Sequence, residues 1–377
     1  MWACKDVRAI NPFWDVLDNV EKRRNGLMAA NVFEYRLCRH LATKYHVSEA
    51  RSFPLMSEAD DAVVRENRLA VVSQGLLAIY DVTSGAGPAR RSYERIAEVV
   101  FPDPRRLSSR LPRINRGGTA SSACVRWSPA GALLTTSGTF QDKNALRVFD
   151  TATLQIADTL EFQRYHSQAV FTHEHSLIDP AIIAIGSSLP QLILADLRSG
   201  NVVVSGGSLL SSPVVSIGWS PSDEHLIVAA SSQHLVTWDK RHLSKPFAVS
   251  IDNWSTDTPP FNIPHIDFLD HNRCIVTHSS RETHIFDPYT GNLLRTLCHE
   301  VGGTPLRRKF ALNRNAWVLY FPAKKGVIGF DLVRDQLFLF PKGAHLYRVE
   351  LILFNDSTKE IYSINGFGEA IVWTPFE

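Results

Sequence analysis

Seven apolar stretches of this 377-residue chain end in the same way, and the distance from one ending to the next is nearly constant. The endings are Ile79-Tyr80-Asp81, Val148-Phe149-Asp150, Leu194-Ala195-Asp196, Thr237-Trp238-Asp239, Ile285-Phe286-Asp287, Gly329-Phe330-Asp331 and Val372-Trp373-Thr374. After one wide first interval they fall 42 to 48 residues apart. A period of about 40 to 45 residues closing on an aromatic-aspartate pair marks one four-stranded sheet per period, and such a sheet cannot bury its faces alone. The predicted fold is therefore all-β: seven sheets packed face to face around an axis.

Two runs share a finer design. Trp127-Ser128-Pro129 and Trp219-Ser220-Pro221 each open a strand, tight turn, strand pattern, with Pro and a following Gly or Asp suited to the turn. Together with the Trp-Asp-like endings, this predicts a seven-bladed WD-repeat β-propeller over residues 46–377. Such a ring closes only when its last sheet is locked to its first, and the last period lacks an outer strand. An early segment must supply it: residues 34 to 41, or residues 48 to 56. The choice turns on whether the first inner strand is Ser48 to Met56 or Asp61 to Arg65. The Gly-His dipeptide that usually precedes each blade core is essentially missing, so the internal His-Ser-Asp-Trp hydrogen-bond network of such blades is not expected.

The composition fits one large body. The chain is 44% hydrophobic and 21% charged with a net charge of +2, and closed repeat folds exceed the usual domain size as one unit. Five cysteines are scattered without paired spacing, which predicts neither a disulfide framework nor a zinc site and points to a reducing compartment. The most apolar stretch, Ala181 to Ala195, is interrupted by glycine, serines and proline, so no membrane span is expected.

Residues 1–45 have a different texture. Asn11 and Pro12 form a helix start and Gly26 is placed to end it. Phe13, Val16, Leu17 and Val20 recur on one side of that helix, with acidic residues early and basic residues late. A second helical pattern runs from Met28 toward Leu41. A closed propeller has no need of a helical lid, and an exposed amphipathic helix suits a partner's groove.

The wide first interval holds eight arginines between Gly85 and Thr119 against three acidic residues. Pro102, Pro104, Pro112, Gly117 and Gly118 predict an exposed basic loop at 85–119, between the first two blades. Arg105, Arg106, Arg110 and Arg113, without interleaved aromatics, favour weak contact with phosphate or an acidic partner over base stacking. Catalytic signatures are lacking: there is no HExxH, no GxSxG and no phosphate-cradling glycine loop with lysine. The chain is read as a binding protein, not an enzyme, with no cofactor. His173 and His175 would share one side of a strand, but no third metal ligand is predictable.

The segment LLTTSGTFQDKNALRVFDTATLQIADTLEF, the strands LILADLRSG, the run VVSIGWSPSDEHLIVAASSQHLVTWDKRHLSKP and the closing AIVWTP resemble, in that order, the Cockayne syndrome group A family. The resemblance extends from about Asn11 to Pro375 and is most specific over residues 123 to 245. It implies a nuclear substrate receptor of a cullin-4 RING ubiquitin ligase. Such receptors dock through an N-terminal helical pair and the lower propeller face onto the ligase's damage-binding adaptor, which connects them to cullin-4 and its RING subunit. It further implies a role in transcription-coupled nucleotide excision repair, with the Cockayne syndrome group B translocase at stalled RNA polymerase II. The family's helical dock falls on Pro12 to Asn25, which makes Phe13, Trp14, Val16, Leu17 and Val20 candidate adaptor contacts. Its Trp-Asp-any-Arg motif falls on Trp238, Asp239 and Arg241, and in the preceding blade Asp196 and Arg198 repeat the Asp-any-Arg spacing. The competing expectation is a free-standing WD-repeat scaffold or histone-type binding propeller with no ligase attached.

Overall fold

The structure, a computed structural model, describes most of residues 46–375, with Lys22 to Arg24 and Arg36 before them. The longest stretches outside it are 1–21, 25–35, 37–45, 83–92, 102–122, 163–168, 205–212, 251–264 and 299–308. Lys22 to Arg24 and Arg36 are helical; the rest of the expected helical pair lies outside the described residues. All other regular structure among the described residues is β, and no described helix is long and apolar enough to cross a membrane.

Among the described residues the strands form seven four-stranded antiparallel sheets. Six are built from consecutive strands in chain order, at residues 61–100, 124–161, 170–204, 216–250, 265–298 and 311–339. The seventh takes Val349–Asn355, Glu360–Asn365 and Glu369–Thr374 from late in the chain and His46–Pro54 from early in it. The register runs from His46 opposite Thr374 to Pro54 opposite Glu369, with an irregularity between Val47 and Ser52. Of the two expected closure segments, 48–56 is the one used, and the first inner strand is Asp61–Arg65.

The second and third strands of most sheets are buried on both faces, because each sheet is sandwiched between two others. Leu134 and Phe149 of the second sheet pack on Ala70 and Ile79 of the first. Ile227 and Trp238 of the fourth meet Ala184 and Leu194 of the third. Similar apolar clusters join every other consecutive pair, and one containing Leu351, Tyr362 and Val372 joins the seventh sheet to Leu69 and Tyr80 of the first. This is the arrangement of a β-propeller. Close approach fixes one residue type: a Cβ on Gly218 would lie 2.8 Å from Cγ2 of Ile266 in the next sheet.

The sequence predicts a loop throughout 85–119, and the structure corrects this. Glu94–Val100 is the outer strand of the first sheet, with its side chains mostly exposed, and Phe101 behind it is buried against the second sheet. An outermost strand has one face toward water, so arginine and glutamate are at home there. Arg95 lies on that strand and pairs with Glu98 at 2.5 Å.

Candidate functional site

The first and third strands of each sheet run in the same direction, so their C-terminal ends emerge on one face of the propeller. That face carries both Trp-Ser-Pro turns and all the repeating Asp endings. Each sequence signal has a local cause there. Ser128 Oγ accepts the Leu133 N–H at 3.1 Å, and Gly131, at φ 74°, completes the turn. Asp150 Oδ1 accepts the N–H groups of Ala152 and Thr153, at 2.9 and 2.8 Å. Asp196, Asp239, Asp287 and Asp331 do the same for the residue two positions on, each at 2.9 Å. The aspartate stops its strand by offering the backbone a side-chain acceptor.

Arg198 and Arg241 sit two residues after such aspartates, on neighbouring sheets. Both are well exposed, at 62% and 58% of the side chain. Arg241 folds back on Asp239 through Nε at 3.0 Å and Nη2 at 2.6 Å. Arg198 reaches Asp196 through Nε at 3.2 Å and Asp179 through Nη2 at 3.0 Å. The hydrogen bonds from Arg241 hold the Asp239 carboxyl down at about 2, and Arg198 acts on Asp196 in the same direction. Each guanidinium is thereby oriented while much of it faces solvent, a geometry suited to carboxylate or carbonyl acceptors on a partner. Trp238, by contrast, is buried between sheets and presents nothing to a partner.

The strand at His46 enters the seventh sheet opposite Thr374, at the end of a third strand. The chain preceding residue 46 therefore joins the propeller on the face that carries Arg198 and Arg241. The five apolar candidates on it, Phe13, Trp14, Val16, Leu17 and Val20, lie outside the described residues, as do Arg105, Arg106, Arg110 and Arg113.

A polar network that the sequence gives no reason to expect does occur in the seventh sheet. Trp373 Nε1–H donates to Ser363 Oγ at 2.7 Å. Ser363 Oγ lies 2.6 Å from His345 Nε2, and His345 Nδ1 lies 3.2 Å from Glu369 Oε2. With Nδ1–H given to the carboxylate, Nε2 accepts from the serine hydroxyl and every member is satisfied. The histidine follows Gly-Ala instead of Gly, and glutamate stands in for aspartate, which hides the set from motif reading. Trp238 lacks this support: its buried Nε1 has no hydrogen-bond partner. Ser363 lies two residues past the residue opposite Trp373, and the matching position in the fourth sheet is Ala229. Ala229→Ser is expected to stabilise the fold by about 1 kcal/mol by giving Trp238 an acceptor. Urea unfolding checks this, and a loss of stability would mean that the hydroxyl does not reach the indole.

Most neighbouring innermost strands contact one another around the axis, and three of them, together with Lys309 just ahead of the sixth sheet's innermost strand, contribute to a largely buried charge network. Arg126 bridges Asp61, through Nη1, and Glu174, through Nε at 2.5 Å. Lys309 joins from the sixth sheet, its Nζ 3.1 Å from Asp61 Oδ1 and 2.7 Å from the Ala62 carbonyl oxygen. Burial opposes the Arg126 charge, but Asp61 and Glu174 outweigh it and raise the guanidinium well above its usual value. Burial also raises the Glu174 carboxyl against the pull of Arg126, and lowers the Lys309 ammonium against the pull of Asp61. The one sequence signal for this network is a charge inside a short apolar strand, as in Cys124-Val125-Arg126-Trp127.

His173 and His175 do share one side, facing the second sheet, and both are buried. Thr135 Oγ1 lies 2.8 and 2.9 Å from their Nε2 atoms, Ser137 Oγ lies 2.8 Å from His173 Nδ1, and the Pro180 carbonyl lies 3.0 Å from His175 Nδ1. One proton assignment satisfies all four contacts with both rings neutral. His175 donates to Pro180 and accepts from Thr135, and His173 donates to Thr135 and accepts from Ser137. All four ring nitrogens are engaged, three of them across to the second sheet and one within the third. Among the described residues, no group of three or more His, Cys, Asp or Glu is placed to hold a metal. No model of a known protein family matches the chain.

Proposed function

We propose that the chain is a seven-bladed WD-repeat propeller with an N-terminal helical pair that serves as a nuclear substrate receptor of a cullin-4 RING ubiquitin ligase. In this reading it is a non-catalytic subunit. It docks on the damage-binding adaptor, through which it meets cullin-4 and its RING subunit. It works in transcription-coupled nucleotide excision repair with the Cockayne syndrome group B translocase at stalled RNA polymerase II. Arg105, Arg106, Arg110 and Arg113 would add a weak, salt-sensitive attraction to nucleic acid or to an acidic partner.

The observation that supports this reading is the gathering of two separate docking elements on one face. Arg198 and Arg241 stand there on adjacent sheets, and the chain leading from the proposed docking helix enters the ring on the same side, at His46. A partner lying across that face would meet both. The competing reading, a free-standing scaffold or histone-type binding propeller, requires no such coincidence.

Titration of the full chain against the purified adaptor tests the proposal. Leu17→Asp with Val20→Asp is expected to abolish binding, because two charges would enter a desolvated groove at a cost of several kcal/mol. Arg241→Ala is expected to weaken binding by roughly 1 to 3 kcal/mol, since it removes charge-assisted bonds. Unchanged affinity in the Leu17 and Val20 double variant would sink the receptor reading in favour of the scaffold.

A further inference from the structure

The ring is closed by the outermost strand of the seventh sheet, His46–Pro54, and that strand is held unevenly. Four residues separate Val47 from Ser52, where the partner strand has only Val372 between Trp373 and Ile371. Extra residues of this kind have no ladder partners and bend the strand. Pairing is thereby split into one piece at His46 and Val47 and another at Ser52 to Pro54, and Pro54 has no N–H to give. The firmer hold is at the second piece. Leu55 N–H donates to the Gly368 carbonyl at 2.6 Å, and the buried Phe53 stacks on Tyr93, just ahead of the first sheet's outermost strand, with ring centroids 4.4 Å apart.

The axial side of the same junction is fastened without the early strand. Lys309 forms a parallel β-bridge with Leu351 of the seventh sheet: its N–H donates to the Glu350 carbonyl at 3.2 Å, and its carbonyl accepts the Ile352 N–H at 2.9 Å. Among the described residues this is the one β-bridge outside the seven sheets. The side chain of Lys309 goes on to the first sheet, with Nζ 3.1 Å from Asp61 Oδ1 and 2.7 Å from the Ala62 carbonyl. One residue thus grips the sheets on both sides of the junction. At the other end of the first sheet's innermost strand, Nδ2 of the buried Asn355, from the seventh sheet, donates to the Glu66 carbonyl at 2.6 Å. Leu351 and Leu353 of the seventh sheet share an apolar cluster with Ala62 and Leu69 of the first. The Lys309 and Asp61 side chains are only 16% and 7% exposed, so parting the two sheets leaves buried polar groups without partners.

We propose that the ring has two independent closures. The inner one, made by Lys309 and Asn355 against the first sheet, stays shut, while the outer one, the strand His46–Pro54, peels from Glu369–Thr374 starting at His46. The irregularity after Val47 sets the order of events. Two paired residues give way first, the unpartnered stretch follows at little cost, and Phe53 and Leu55 stop the peeling. Release of residues 46–51 gives the preceding chain a tether of up to about 20 Å. A partner that grips the chain before residue 46 can therefore draw it away from the rim of the seventh sheet with the propeller intact. The device does not depend on the receptor reading. A ring held by its early strand alone would behave differently, because peeling that strand would open the axis as well.

The experiment is amide hydrogen exchange of the full chain under native conditions, followed separately for the early strand and for Val349–Asn355. In the wild type the amides of His46 to Ser52 are expected to exchange at least about tenfold faster than those of Val349–Asn355, the mark of a local opening that leaves the ring closed. Lys309→Met leaves Arg126 to balance Asp61. It is expected to speed exchange in Val349–Asn355 by about tenfold or more without changing the early strand, and Lys309→Arg is expected to exchange like the wild type. Asn355→Ala, which disturbs no charge, is expected to act in the same direction as Lys309→Met and decides the matter if that variant does not fold. Early strand and Val349–Asn355 exchanging together in the wild type would overturn the proposal, since the two closures would then be one. Unchanged exchange of Val349–Asn355 in both Lys309→Met and Asn355→Ala would also overturn it.

Discussion

Replacing Arg126 by leucine is expected to cost about 3 to 5 kcal/mol of stability, read as an earlier urea midpoint. The arginine is one of four largely buried charged groups around the axis, and its loss leaves Glu174 without its ion-pair partner and Asp61 with Lys309 alone. Breaking a buried charge network by removing one partner costs far more than the network itself contributes, because the remaining charges are left desolvated. Glu174→Gln added to Arg126→Leu is therefore expected to recover part of the loss, since it removes one stranded charge and leaves Asp61 to Lys309. If Arg126→Leu unfolded at the wild-type midpoint, the network would be solvated in solution and would not contribute to closing the ring.

The fold is also expected to weaken as pH falls from about 6.5 toward 4. Burial pushes His175 down to about 4 and His265 to about 3, and it holds His173 well below its usual value, with the nearby Arg126 acting in the same direction on all three. The unfolded chain binds these protons near the ordinary histidine value of about 6.5, whereas the folded chain refuses them until the pH is much lower. The stabilisation is thus complete above that value and is lost progressively below it. His175 alone accounts for about 3 kcal/mol by pH 4. Stability measured across this range should fall less steeply in His175→Gln, by up to about 1.4 kcal/mol per pH unit. Equal slopes in variant and wild type would mean that His175 titrates normally in the native state.

What is legible in the sequence is local. The Asp endings can be read because an aspartate that caps its own turn acts within three residues, as Asp150 does. The pairing of His173 and His175 on one side follows from the two-residue period of a strand. The closure strand is narrowed to two segments and not to one, because pairing between His46–Pro54 and Glu369–Thr374 leaves no mark in either segment alone. Glu94–Val100 reads as loop in the sequence because Arg95 and the prolines just beyond the strand are weighed without its place outermost in the sheet. The axial network is out of reach for the same reason: Lys309 and Asp61 are 248 residues apart, and a charge in an apolar strand does not announce its partner. Arg198 and Arg241 stand out in the sequence because each follows its strand-ending aspartate by two positions, a spacing that acts locally through the aspartate's own turn.

The seam of the seventh sheet has a consequence for how the protein is made. His46–Pro54 leaves the ribosome early, and its partner Glu369–Thr374 follows roughly 300 residues later. At about 5 to 20 residues per second this is a delay of tens of seconds, during which an unpaired strand edge is open to wrong partners. Six sheets can form from neighbouring strands as they emerge, but the ring stays open until the last strand arrives. Newly made chains should accordingly spend most of their synthesis as an open arc, and a chaperone that covers strand edges would have its greatest effect on yield at this stage, before the ring is shut.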